Sequence, residues 1–121
     1  LRALHEQYSP LGLTLIGVFH PKAQRDGPLD VARVERAVAS RNFEFPVAID
    51  WDWRNGTLEK WWLTGPDRPA TSVTFLLDKS GVIQFVHPGM EYHDANGSDG
   101  HAMCSDDMAG IRTQIERLLE L

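Results

Sequence analysis

Residues Thr71 to Gly89, TSVTFLLDKSGVIQFVHPG, constrain this chain more than any other stretch. β-Branched and aromatic residues lie on both sides of Asp78-Lys79-Ser80-Gly81, and Gly81 stands where a short turn needs positive φ. The pattern predicts two apolar strands closed into an antiparallel hairpin. Whatever the chain folds into must give that hairpin a sheet or helices to lie against.

The segments on either side supply them. Leu1, Leu4 and Tyr8 share the spacing of one helical stripe, which Pro10 and Gly12 end. Leu13 to Phe19 is a nearly continuous apolar run, the pattern of a strand buried on both faces. A loop follows from His20 to Pro28. Asp30 to Arg41 returns to helical spacing, with Val31, Val34 and Val38 on one side and Arg33, Glu35 and Arg36 on a solvated face. Pro46 to Asp50 reads as a short strand and Thr57 to Leu63 as a short helix closed by Gly65-Pro66. Beyond the hairpin, Met90 to Ser105 is a polar, Gly-rich loop. A last helix from about Asp106 to Leu119 buries Met108, Ile111, Ile115, Leu118 and Leu119, with Asp106 and Asp107 at the positive end of its dipole.

Strands alternating with helices imply right-handed parallel crossovers and a sheet covered on both faces. The hairpin makes that sheet mixed. With no internal repeat or linker, the 121 residues read as a single α/β domain, residues 1–121. A net charge of −5 argues against nucleic acid as the main partner, because phosphate binding needs a basic face. No apolar run approaches the roughly 20 residues of a membrane span.

Chemistry-bearing residues are sparse. Cys104 is the one cysteine, which excludes an internal disulfide and a C-x-x-C pair. It could be a thiol activated near a helix N-terminus, or part of a metal site with His93 and His101; the plainer account is a cysteine on a loop, since structural zinc wants four well-placed ligands. His87, before Pro88-Gly89, could join His93 at the open end of the sheet, or be a strand-end histidine bonded to backbone. Trp51 and Trp53 could form an aromatic surface or anchor the core. Trp61 and Trp62 point about 100° apart on a helix, so one of them faces outward. Asp50 and Asp52 have no nucleophile or third ligand nearby and read as solvated loop carboxylates. No phosphate loop or nucleophile elbow is present in the sequence.

Three segments carry a family resemblance: Gly12–Val18 (GLTLIGV), Phe45–Asp50 (FPVAID) and Thr74–Ile83 (TFLLDKSGVI). Together they resemble the TlpA-like, or redoxin, branch of the thioredoxin-like superfamily, and more weakly the peroxiredoxins. The last match is the most specific, and the resemblance covers nearly all the chain except Met90–Ser105. It implies a thioredoxin-like mixed sheet flanked by helices and a thiol–disulfide oxidoreductase. No cofactor is implied, and the partner would be a protein bearing a disulfide or a dithiol. An extracytoplasmic location fits the resemblance, which does not fix the compartment.

In that family the first strand leads to C-x-x-C at the N-terminus of a long helix, where the thiol pKa is lowered. By the resemblance, the first helix here is the remainder of that long one. The first strand and the dithiol then lie upstream of Leu1, and the chain as given is inactive in thiol exchange. The absent strand would leave two edges facing a gap, to be closed by direct pairing, by another chain, or by homo-oligomerisation through the exposed strand edges. The family's cis-proline position falls on Ser72, with an ordinary trans peptide expected there. Thr71, Ser72 and Val73 would mark the substrate-facing loop, and Trp62 would give a further binding surface. A catalytically silent binding module and a His/Cys metal-binding protein centred on His87, His93, His101 and Cys104 are the rival readings.

Overall fold

The computed structural model describes residues 1–20, 28–50, 55–64, 72–88 and 102–121, the last with side chains from Asp106 onward. In chain order the elements are α1 (Arg2–Tyr8), β1 (Gly17–Phe19), α2 (Val31–Ala39), β2 (Val47–Ile49), a π-helical turn (Glu59–Leu63), β3 (Val73–Leu77), β4 (Ile83–Pro88) and α3 (Ala102–Leu118). The chain is α/β, with one small parallel and one small antiparallel sheet. It divides into a hairpin unit (Leu1, Ala3–Leu13 and Ala70–Leu121) and a parallel-strand unit (Arg2 and Thr14–Pro69).

In the hairpin unit, β3 and β4 pair antiparallel, with Val73 opposite Pro88, Thr74 opposite His87, Phe75 opposite Val86 and Leu76 opposite Phe85. The turn between them is built around the Asp78 carboxylate. Its Oδ1 accepts from the Ser80 amide at 2.8 Å and the Val82 amide at 3.1 Å, and Gly81 takes φ of 81°. Those bonds favour the ionised form, and the Val82 amide leads in holding the Asp78 carboxyl below its ordinary value. The register then shifts between Leu76 and Leu77, so that Leu77 faces Ile83 and Gln84 is the extra residue of a β-bulge. Gln84 reaches Asp78 Oδ2 at 2.8 Å and accepts from the Arg117 guanidinium at 3.1 Å, which ties the turn to α3.

Helices cover one face of this hairpin. Leu4 and Tyr8 from α1, Leu76 from β3, and Met108, Ile111 and Ile115 from α3 form a continuous buried cluster, with Leu13, Phe85, Leu118 and Leu119 against it. The α3 stripe predicted from its 3.6-residue spacing is the stripe observed. Gly110 lets the helix approach closely: a Cβ there would lie 3.0 Å from the Phe85 ring. The Tyr8 hydroxyl donates to Glu116 at 2.7 Å, and burial, aided by that bond, pushes its pKa up. After α1 and a short 3₁₀ turn (Ser9–Leu11), the left-handed Gly12 (φ 116°) brings the Leu13 amide back to Tyr8 O at 3.0 Å, closing the helix end.

In the parallel-strand unit, β1 and β2 pair in parallel, Gly17 with Val47 and Phe19 with Ile49, and α2 is the crossover between them. Asp30 caps α2 by accepting from the Arg33 amide at 3.0 Å, and Arg41 satisfies Ala37 O at its far end at 2.7 Å. Val34 is buried while Arg33, Glu35 and Arg36 are exposed, as the helical spacing predicts. Phe45 is buried, stacks on Phe43 with ring centroids 4.8 Å apart, and lies where a Cβ on Gly17 would be 3.3 Å away.

Three expectations need correcting. The apolar run Leu13–Phe19 forms a strand only over Gly17–Phe19, and it is not covered on both faces: exposure alternates, with Ile16 and Val18 outward. The single mixed sheet is, among the described residues, two separate ladders, because the β1 backbone pairs with β2 and the β3 backbone with β4. The short helix after residue 55 winds more widely than an α-helix over Glu59–Leu63, the Thr64 amide reaching back five residues to Glu59 O at 3.2 Å. No described peptide bond is cis.

Candidate functional site

Each unit places a histidine and a carboxylate together at the end of its strands. In the hairpin unit His87 sits one residue before the end of β4, on the face it shares with Phe85, which is turned toward α3. It is 2% exposed, and its Nδ1 lies 2.5 Å from Asp107 Oδ2. The Asp107 side chain is 29% exposed, so one end of the pair touches water and the other is sealed. The sequence suggested a backbone partner for His87 or a meeting with His93. The Asp107 carboxylate from α3 is one partner of that imidazole, and His93 lies outside the described residues.

By register His87 faces Thr74, and Pro88 faces Val73. The loop end singled out by the family resemblance, Ser72 and Val73, therefore adjoins the His87–Asp107 pair, and both residues are half-buried. Thr71 lies outside the described residues. This hairpin end is the candidate site. Ser72 and Val73 stand there beside the buried His87 imidazole.

In the parallel-strand unit His20 directly follows β1 and Asp50 directly follows β2. Both therefore stand at the carboxyl ends of parallel strands, where α/β proteins commonly bind ligands. His20 Nδ1 is 3.1 Å from Asp50 Oδ2, with side chains 18% and 9% exposed. The same carboxylate oxygen accepts from the Leu58 amide at 3.2 Å, in the first turn of the short helix. Asp50 is thus a buried bridging group and not a solvated loop carboxylate. Burial lowers the His20 pKa from its ordinary value, and the Asp50 charge opposes the shift. The signal missed in the sequence was positional: His20 is the first polar group after one predicted strand, and Asp50 is the polar last residue of another.

Other expected site residues divide three ways. Trp62 is buried, 5% exposed, whereas Trp61 is 51% exposed, so an outward aromatic surface belongs to Trp61 and not to Trp62. Burial of Trp62 follows from its side of the helix, which it shares with Leu58, also buried. His93, His101, the Cys104 side chain, Trp51, Asp52 and Trp53 lie outside the described residues; the Cys104 backbone belongs to the third residue of α3. Among the described residues no group of three or more His, Cys, Asp or Glu side chains could hold a metal ion. Among them, too, no helix is long and apolar enough to cross a membrane.

Compared with family models, with characterised proteins and with solved structures, the chain matches none.

Proposed function

We propose that this chain is the body of a thioredoxin-like domain and works in thiol–disulfide exchange of the TlpA-like class. The observation that carries the reading is the hairpin end. The segment TFLLDKSGVI spans most of β3, the turn and the first residue of β4, α1 and α3 cover this antiparallel pair together, and Ser72–Val73 lies at its end, where the resemblance puts the substrate-facing loop. The parallel β1–α2–β2 unit adds support, since it has the strand–helix–strand order the resemblance requires.

With one cysteine among 121 residues, this chain does not itself hold a dithiol. In this reading two cysteines from outside it do the chemistry. One thiolate attacks a partner disulfide, forming a mixed disulfide and releasing a partner thiolate. The second then displaces the other partner sulfur, leaving the partner reduced by two electrons and the domain oxidised. The role of the present residues is to hold the partner's backbone along Ser72–Val73.

The test is insulin reduction with a dithiol donor, comparing the 121-residue chain with a longer product that includes the coding sequence adjoining Leu1. Turnover by the longer product alone is expected. If it contains no C-x-x-C and shows no turnover, the enzyme reading fails. A silent binding module using the same hairpin end then takes its place, a reading the single cysteine favours.

A further inference from the structure

Asn55 and Gly56 form the turn that leads into the short helix, with Asn55 exposed and Gly56 buried. Two amides fix the start of that helix: Lys60 donates to Gly56 O at 3.2 Å, and Leu58 donates to Asp50 Oδ2 at 3.2 Å. Among the described residues nothing accepts from the Gly56 amide itself. We infer that Asn55–Gly56 is a self-modification site: the Gly56 nitrogen closes on the Asn55 side-chain amide, and the product lengthens the chain at the entry to the helix of Trp61 and Trp62.

Loss of the Gly56 N–H proton to hydroxide leaves a nitrogen that attacks Asn55 Cγ. A bond forms from Cγ to the Gly56 nitrogen, the bond to the side-chain nitrogen breaks, and ammonia departs with a proton from water. No electrons are exchanged. Water then opens the five-membered imide. Opening at Cγ leaves an aspartyl residue with the ordinary main chain. Opening at the Asn55 main-chain carbonyl leaves Gly56 bonded through Cγ, an isoaspartyl link one carbon longer.

Ring closure needs main-chain angles that a side chain on the attacking residue obstructs, and Gly56 has none. Asn42 is also exposed, but Phe43 follows it. Exposure of Asn55 lets water reach Cγ and lets ammonia leave. Burial of Gly56 makes closure wait until the turn opens, which a short helix permits. The triplet with Thr57 also fits a glycan acceptor, yet imide formation needs neither enzyme nor sugar donor. An isoaspartyl link just before Gly56 displaces the carbonyl that Lys60 uses and loosens Leu58 two residues on. The inference stands apart from the proposed redox function and concerns the other unit.

The test is incubation of the folded 121-residue chain in mildly alkaline buffer, followed by peptide mapping. Conversion at residue 55 to aspartyl and isoaspartyl forms is expected, faster as pH rises and several-fold faster than at Asn42. Asn55→Gln, which would need a larger ring, should show none over the same time. The peptide holding Asn96–Gly97, a pair outside the described residues, is read separately. No conversion at residue 55 overturns the inference, as does equal conversion at Asn42, a comparison that stands even if Asn55→Gln does not fold. The separated isoaspartyl form should lose amide-exchange protection several-fold at Leu58 and Lys60, whereas Asn55→Asp, with its main chain unlengthened, should keep it. Equal protection in the two overturns the inference equally.

Discussion

The two units solve the same problem, a histidine at the end of a strand, in opposite ways. His87 is sealed beneath α3, beside a continuous apolar cluster, and its carboxylate partner faces water. His20 keeps more contact with solvent than His87 does, and its partner Asp50 is the more buried member. In the hairpin unit six side chains from three elements form one buried cluster. The parallel-strand unit buries Val34, Phe45, Leu58 and Trp62, and it joins three elements through a polar junction. Apolar packing responds to volume, whereas the His20 imidazole, its pKa lowered by burial, responds to protons. The first unit should therefore be sensitive to truncation and the second to pH.

Truncating the apolar cluster should have the largest effect. Ile115→Ala removes a fully buried branch between α3 and α1, and a loss of about 2–5 kcal/mol in chemical denaturation is expected. A loss below 1 kcal/mol would break the comparison, because it would mean the cluster is loosely packed. Next comes His87→Ala, which leaves a hole in the α3 face and strips Asp107 of its partner. Since Asp107 can rehydrate, about 1–3 kcal/mol is expected, and the loss should be seen in thermal and denaturant unfolding alike. Tyr8→Phe should cost less, about 0.5–1.5 kcal/mol, for one hydrogen bond to Glu116. It should also flatten an alkaline transition. The raised pKa of Tyr8 contributes stability that is complete below the unfolded value near 10 and lost as pH rises through the folded value.

Acid titration sharpens the contrast. The folded pKa of Asp78 is depressed, so its contribution is present above the unfolded carboxyl value and disappears as pH falls through the folded one. His20 is a base with a lowered pKa, so its contribution is complete above the ordinary imidazole value and declines as pH falls below it. On acidification a stability profile should show the His20 step before the Asp78 step. Asp78→Asn should remove the lower step alone, and His20→Asn the upper step alone.

Much of this architecture was legible from local rules. The α3 stripe follows from 3.6-residue spacing, the β3–β4 turn from Asp78 and Gly81, and the start of α2 from the Asp30 cap. What escaped lies between elements. Nothing in the spacing of residues 87 and 107 says that a carboxylate one turn into a helix will meet a strand-end imidazole. Likewise, Asp50 became a bridge only because β2 pairs with β1 in a register that sets residue 50 beside residue 20. Trp61 and Trp62 were known to point apart, but which one is buried depends on the side of the helix the protein covers. Strand length was misread for a related reason: an apolar run marks where a strand can form, and the partner ladder decides how much of it does.

The extra residue in β4 carries a lesson about insertions. Ile83 and Phe85 already face Leu77 and Leu76, so removing Gln84 would leave every pairing from Phe85 to Pro88 unchanged. The molecule would lose the amide that spans Asp78 and Arg117, yet His87 would still point at α3. Shortening this strand by one residue is thus a silent edit of topology, whereas deleting Val86 would turn the imidazole out into water.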